Sequence, residues 1–92
     1  MKYGYTDNKQ AILKRLNRAE GQVRGVARMV ENDEYCIDIL TQINAIQAAV
    51  DKVAIELMRD HAKHCMMHAK DAKERDKKAE ELVDAISRMM RR

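Results

Sequence analysis

Apolar residues recur along the first third of the chain at alternating spacings of four and three. The series is Ile12, Leu16, Ala19, Val23, Val26 and Val30. Residues three and four apart lie on one side of an α-helix, because the helix makes one turn in about 3.6 residues. The pattern therefore predicts a first amphipathic helix over about residues 7–31.

A second apolar series with the same spacing occupies the middle of the chain. It consists of Ile39, Ile43, Ile46, Val50, Val53 and Leu57. Neither Gly nor Pro occurs between residues 34 and 67, so we expect one uninterrupted helix over about residues 34–66. A helix of about thirty residues is roughly 45 Å long. A chain of this size is too small to cover such a helix from within.

The last part of the chain predicts a third helix over about residues 71–90. Its first half is mostly charged, and the mixed charges of residues 70–81 are typical of a solvated helix face. Its second half carries Leu82, Val83, Ile86, Met89 and Met90. We expect only this apolar end to be firmly packed.

The composition favours one small all-α domain over residues 1–92. The chain has no Phe, Trp or Pro, and 36% of its residues are charged. No stretch approaches the roughly twenty apolar residues of a membrane span, and we find no secretory signal. We therefore expect a cytoplasmic protein that does not enter the membrane. Its two cysteines are then more typical of ligands or free thiols than of a disulfide.

Soft metal donors lie on one stripe of the second helix. Cys36, His61 and Cys65 point in the same direction within about 40° on a helical wheel. His61 and Cys65 are four residues apart, which lets two side chains of one helix bind one ion. Cys36 is 29 residues from Cys65, or about 43 Å along a continuous helix. It cannot reach the other two donors within its own chain.

A second copy of the chain brings the three donors together. If two copies of the helix run antiparallel about a two-fold axis near residue 50, Cys36 of one chain lies beside His61 and Cys65 of the other. Two thiolates and an imidazole favour Cu(I), then Zn(II). His64 points away from the stripe, whereas His68 is either an auxiliary donor or a solvated side chain.

Simpler interpretations of these residues remain open. A single cysteine such as Cys36 is commonly a small buried hydrophobic residue, and Met66 and Met67 are most simply core filler. The first helix also has a basic face, which carries Lys14, Arg15, Arg18, Arg24 and Arg28 opposite its apolar seam. That face is either an ordinary solvated surface or a surface for a polyanion such as DNA.

The chain resembles the CsoR/RcnR-like family of bacterial copper-sensing and other metal-responsive transcriptional repressors. The resemblance covers nearly the whole chain. It rests on RLNRAEGQVRGV in the first helix, on LTQINAIQAAVDKVAIELM in the second, and on the set Cys36, His61 and Cys65. It implies antiparallel dimers that assemble into a disc-shaped homotetramer without a helix-turn-helix. It also implies binding of operator DNA without metal and release on binding the inducer.

The resemblance assigns roles to individual residues. Cys36 of one protomer and His61 and Cys65 of its neighbour would form a trigonal Cu(I) site. Tyr35 and Glu81 would support that site and couple it to the third helix. Double-stranded operator DNA would be bound by basic residues, which are Lys14 from the helical wheel and Arg15, Arg18 and Lys52 from the resemblance. The leading hypothesis is a Cu(I)-responsive repressor of copper-resistance genes.

Other functions compete with this hypothesis. The same fold serves repressors that respond to thiols or persulfides and others that respond to nickel or cobalt. His61 argues against a persulfide sensor, and the absence of a histidine near the N-terminus argues against a nickel or cobalt sensor. A copper-buffering protein without DNA function is a further alternative. We do not expect an enzyme, because no nucleophile with a base, phosphate loop or paired carboxylates can be identified.

Overall fold

The computed structural model describes residues 4–90, and this part of the chain is folded into helices without a β-strand. Helix α1 spans Lys9–Glu31 after a 3-10 turn at Thr6–Asn8, α2 spans Cys36–His68 and α3 spans Ala72–Met90. The predicted all-α fold of three helices is confirmed. Each helix begins one or two residues later than the sequence pattern suggested. Over the described residues, none of these helices combines the length and apolar content that a bilayer crossing requires.

Residues 8–56 form one compact unit, made of α1 and the first part of α2. The buried apolar residues of the described chain all belong to it, and they are Ile12, Ala19 and Val53. Much of the α1 seam stays open, since Val23 and Val30 are 53% and 58% exposed. A single chain therefore has a thin core, as expected for a small domain that buries little surface by itself.

The second unit contains the described residues up to Asp7 together with those from Leu57 onward. It comprises the last part of α2, helix α3 and the N-terminal segment. Gly4 lies so close to α2 that a Cβ there would collide with the backbone carbonyl of Asp60 and lie 2.9 Å from Cβ of His64. Only glycine allows the segment to approach α2 this closely.

The turn between α1 and α2 is a Schellman motif. The Glu34 N–H donates to the Met29 carbonyl at 3.0 Å, and the Asp33 N–H donates to the Val30 carbonyl at 3.1 Å. Asp33 has a φ of 56°, which is the left-handed conformation that this motif requires at the residue after the cap. The position is usually glycine, so aspartate there carries conformational strain.

Backbone hydrogen bonds fix the start of α2 at Cys36. The Tyr35 carbonyl accepts hydrogen bonds from the N–H groups of Asp38 and Ile39 at 3.0 and 3.2 Å. Tyr35 is therefore the cap residue, and Cys36 follows it as the first residue of the helix. The turn thus positions one of the candidate metal donors directly.

Side-chain capping fixes the start of α3. The Asp71 carboxylate accepts a hydrogen bond from the Glu74 N–H at 2.8 Å, and the Glu74 carboxylate accepts one from the Lys70 N–H at 3.3 Å. This pairing resembles a capping box, in which two side chains satisfy unpaired N–H groups at a helix start. It explains why α3 begins at Ala72 although its first half is mostly charged.

Replacing Asp33 by glycine should stabilise the protein. Glycine adopts the left-handed conformation without a Cβ penalty, so we expect Asp33→Gly to raise the free energy of unfolding by about 0.5–1 kcal/mol. Urea denaturation at one fixed protein concentration measures the change. The matched control is Asn32→Gly, because Asn32 has a φ of −88° and gains nothing from glycine. Equal stabilisation by both substitutions would contradict the assignment of strain to Asp33.

Candidate metal centre and nucleic-acid interface

His61 and Cys65 form a preassembled pair of soft donors on α2. They lie one turn apart, and Nε2 of His61 is 3.5 Å from Sγ of Cys65. Two ligands of one ion, at the sulfur and nitrogen bond lengths typical of zinc, lie about 3.5–3.8 Å apart. The pair is partly buried. Its spacing and chemistry therefore suit binding of a single soft metal ion.

Cys36 lies at the opposite end of the same helix. It is the first residue of α2 and is exposed, so it does not serve as core packing within the chain. It borders a pocket of about 340 Å³ next to the α1–α2 turn, with Asp33 and Leu40 among the lining residues. Between residues 4 and 90, no group of three or more His, Cys, Asp or Glu side chains is arranged to hold a metal ion. One chain thus supplies two donors at one end of α2 and the third at the other.

His61 lines two pockets, one together with Glu81 and the other together with Cys65. One pocket, of about 370 Å³, places Glu81 of α3 and Tyr5 of the N-terminal segment beside His61. The other, of about 170 Å³, contains His61, Cys65 and the two cationic residues Arg75 and Lys78. The imidazole is therefore close to the thiol of Cys65, and the carboxylate residue Glu81 lines a pocket that it shares. A carboxylate of this kind commonly orients a ligand histidine.

Tyr35, the other residue assigned to support the site, is found elsewhere. It is 68% exposed and precedes Cys36 at the start of α2. Because it is the neighbour of Cys36 in the chain, it lies with Cys36 at the start of α2. Glu81 in contrast shares a pocket with His61, and its carboxylate also forms an ion pair with Lys78 at 3.7 Å.

The other histidines and the methionines beside Cys65 behave differently from the candidate ligands. The rings of His64 and His68 contact each other, with centroids 4.5 Å apart, and neither lines the pocket of Cys65. Met66 and Met67 are 72% and 78% exposed, so the interpretation of this pair as core filler is wrong for the single chain. Met66 borders the Cys65 pocket.

The basic residues assigned to DNA differ in their surroundings. Lys14, Arg18 and Lys52 are exposed. Arg15 is partly covered, and its Nε donates to Oε1 of Glu56 at 3.2 Å. The second carboxylate oxygen of Glu56 is buried without a hydrogen-bond partner. Lys14, Arg18 and Lys52 are thus accessible to phosphate groups, whereas Arg15 is paired with the carboxylate of Glu56.

The sequence pattern did not identify several residues that line the candidate site. Tyr5 reaches the Glu81 pocket because the N-terminal segment follows α2, and no sequence signal indicated that path. Arg75 and Lys78 belong to the charged stretch of α3, and they line the same pocket as Cys65. Their spacing of three residues, which places both on one helix face, was the available signal. Glu56 was missed because its pairing depends on how α1 packs against α2.

Comparison with known proteins identifies the family. A family model described as metal-sensitive transcriptional repressor matches residues 8–88. The chain belongs to this family of repressors. The match includes all of α1 and α2, both cysteines, and α3 as far as residue 88.

Individual relatives agree with the family match. The repressor is 47% identical over 91 residues to the copper-sensing transcriptional repressor RicR of Mycobacterium tuberculosis, covering 97% of this chain and 95% of that protein. It is 49% identical over 80 residues to the copper-sensing transcriptional repressor CsoR of Bacillus subtilis, covering 87% of this chain and 79% of that protein.

Solved structures support the fold. The crystal structure of the copper-sensing repressor CsoR with Cu(I) from Geobacillus thermodenitrificans matches with a TM-score of 0.82 and 46% identity, over 92% of this chain and 88% of that chain. The nickel-responsive transcriptional regulator InrS matches with a TM-score of 0.74 and 34% identity, over 86% of this chain and 89% of that chain. The helical fold is thus shared by regulators that respond to different metals.

Removing the charge of Glu56 should strengthen DNA binding by the repressor. Gln is close to isosteric with Glu and leaves Arg15 without a competing carboxylate, so we expect Glu56→Gln to raise the affinity for duplex DNA about threefold at low salt. Fluorescence anisotropy with a duplex selected from a random-sequence library measures the affinity. The control Glu80→Gln removes the same charge from the exposed face of α3. An equal gain in both variants would mean that net charge alone is responsible.

Proposed function

We propose that this repressor senses Cu(I) at sites shared between two chains, with Cys36 from one chain and His61 and Cys65 from the other. The observation that carries the proposal is the divided donor set. Nε2 of His61 and Sγ of Cys65 are 3.5 Å apart, whereas Cys36 is exposed at the far end of the same helix. Two identical sites then follow from one two-fold axis.

An apolar stripe on α2 supports this pairing. Leu40 and Val50 are 49% and 42% exposed in the single chain. Both lie within about 40° of Cys36 around the helix axis. An antiparallel partner with its axis near residue 50 would bury this stripe and align the donors at both ends. By the family resemblance, two such dimers would form a homotetramer.

The donor chemistry favours Cu(I) as the inducer. Two thiolates and an imidazole form a soft set that prefers Cu(I) and then Zn(II) over hard cations. Bound Cu(I) would supply a link between Cys36 of one chain and the donor pair of the other. Glu81 would orient the imidazole of His61 from its pocket. Tyr35 would arrive at the partner's site together with Cys36, which accounts for its exposure in the single chain.

The metal-free repressor would bind operator DNA through the basic residues of α1 and α2. Lys14, Arg18 and Lys52 are exposed and would contact phosphate groups, with Arg15 joining them when it leaves Glu56. Metal binding would favour an arrangement of subunits in which these faces no longer match the duplex. The affinity for DNA falls if the ligand prefers that arrangement by a few kcal/mol. Copper-resistance genes would then be expressed, and we place the protein with its operator in the cytoplasm.

Mixed subunits provide a direct test of the shared site. A Cys36→Ala chain and a Cys65→Ala chain should each lack a complete site. A mixed dimer keeps one of its two sites, because it combines Cys36 of one chain with His61 and Cys65 of the other. After joint refolding of equal amounts, random pairing should restore about a quarter of the wild-type sites. Anaerobic titration with Cu(I) against a chromogenic chelator counts them.

The Cu(I) titration distinguishes a site shared between two chains from a site that each chain forms alone. If each chain bound copper by itself, mixing would restore nothing beyond the sum of the two variants. A chain carrying both substitutions is the control, because each mixed dimer with the wild type lacks both sites, so random pairing of equal amounts should halve the sites of the wild type.

The link between copper and DNA is tested on the intact repressor. Arg15→Ala/Arg18→Ala should lose at least tenfold in DNA affinity and keep its Cu(I) affinity, because these side chains contact phosphate and lie outside the donor set. The wild type should release labelled DNA when Cu(I) is added anaerobically in the presence of a reductant. Anisotropy follows the DNA, and the same samples are titrated with Ni(II) and Zn(II).

The alternatives give different results in that assay. A copper buffer would bind Cu(I) but show no DNA affinity to lose. Release by oxidant or persulfide, without release by Cu(I), would replace the copper sensor by a thiol-responsive repressor. Release by Ni(II) alone would favour a nickel sensor, the activity named for the structural relative InrS.

A further inference from the structure

Two histidines at the end of α2 form a pair that the proposed copper site does not use. His64 and His68 are four residues apart, and His68 is the last residue of the helix. Their ring centroids are 4.5 Å apart, and the ring planes are tilted by 41°. Neither side chain lines the two pockets that contain His61. The pair is therefore a second cluster of nitrogen donors, distinct from the candidate Cu(I) ligands.

The distance between the two rings fits the binding of one metal ion at right angles. A metal–nitrogen bond of about 2.0–2.1 Å places the ion about 3.2 Å from the centre of an imidazole ring. Two such rings have centroids about 4.5 Å apart when they bind at 90°, and about 5.2 Å apart at the tetrahedral angle. Square-planar and tetragonal sites with nitrogen and oxygen ligands are typical of Cu(II) and Ni(II). The observed 4.5 Å matches such an ion better than tetrahedral Zn(II).

The position of the pair at the end of a helix also favours a cation. The last carbonyl groups of a helix lack partners within it and form the negative end of the helix dipole, which stabilises positive charge there. His68 is exposed, so the pair is open to solvent on that side. His64 is partly covered, and the N-terminal segment lies against it at Gly4. A donor whose motion is already restricted loses less entropy when it binds an ion.

We propose that His64 and His68 form a second metal site, which binds a divalent ion such as Ni(II) or Cu(II) through two imidazole nitrogens. Between residues 4 and 90, no third His, Cys, Asp or Glu side chain completes the pair. Water would therefore occupy the remaining positions around the ion. The inference does not depend on the proposed function, because neither histidine belongs to the Cu(I) donor set.

Titration of a cysteine-free protein with Ni(II) tests the site. Cys36→Ser/Cys65→Ser removes both thiols, so Ni(II) has no thiolate ligand in the chain. Calorimetry on the intact chain, without an affinity tag, should then detect one Ni(II) per chain. Adding His64→Ala/His68→Ala should weaken this binding at least tenfold, because both protein ligands are lost. With Cu(II) in place of Ni(II), electron paramagnetic resonance should show coupling to two nitrogen nuclei, and the coupling should disappear in the variant without the pair.

Two variants in the same background control for histidine content and spacing. His61→Ala should leave the Ni(II) affinity within about twofold, because His61 lines pockets that the pair does not. Met66→His/His68→Ala keeps the number of histidines but places the two donors two residues apart, where they do not face each other. It should bind Ni(II) as weakly as the variant that lacks the pair. Circular dichroism verifies that all variants keep their helices.

Three results would overturn the inference. They are an absence of Ni(II) binding to the cysteine-free protein, equal binding with and without the His64 and His68 substitutions, and retention of binding in the Met66→His/His68→Ala variant. A loss on replacing His61 as large as that on replacing the pair would also overturn it. The proposed Cu(I) sensor is judged separately, by anaerobic titration of the protein that keeps its cysteines.

Discussion

The uninterrupted length of α2 is the constraint on which the candidate site depends. Cys36 and Cys65 are separated by 29 residues of one helix, and such a helix holds them about 43 Å apart. No side-chain motion closes that gap, so a three-donor site requires a second chain. The same length leaves Leu40 and Val50 exposed on the donor face. Metal binding and association of chains would therefore be two consequences of one structural feature.

Helix α3 has no buried residue and lies beside the candidate donors His61 and Cys65. The sequence gives it little apolar surface, and its start is held by the Asp71 and Glu74 cap rather than by packing. Its residues line both pockets of His61, with Glu81 in one and the side chains of Arg75 and Lys78 in the other. A helix that packs weakly beside the candidate donors opens at low free-energy cost, which would let metal binding change its position.

The sequence was sufficient to predict the three helices, and it places the three candidate donors on one face of α2. Both follow from the period of the α-helix, which requires no knowledge of neighbouring elements. It was not sufficient for the Arg15–Glu56 ion pair, because two residues 41 positions apart meet only through the packing of α1 on α2. The position of Arg75 and Lys78 beside the Cys65 pocket was missed for a related reason. Apolar residues indicate which face of a helix packs against its neighbour. In α3 they are confined to one end, so they do not predict which charged residues of the first half face α2.

The division of the chain into two units suggests how binding at the metal site can affect DNA. Residues 8–56 contain Cys36 together with Lys14, Arg15, Arg18 and Lys52, whereas His61, Cys65 and α3 belong to the other unit. The Schellman turn that ends α1 comes shortly before Cys36 in the sequence, so Cys36 follows the basic helix closely. In the proposed dimer, a metal ion would therefore tie the basic unit of one chain to the donor unit of its partner. Because each chain would contribute to both sites, the constraint would act on both basic faces at once, and a two-fold symmetric repressor would then leave its operator as a whole.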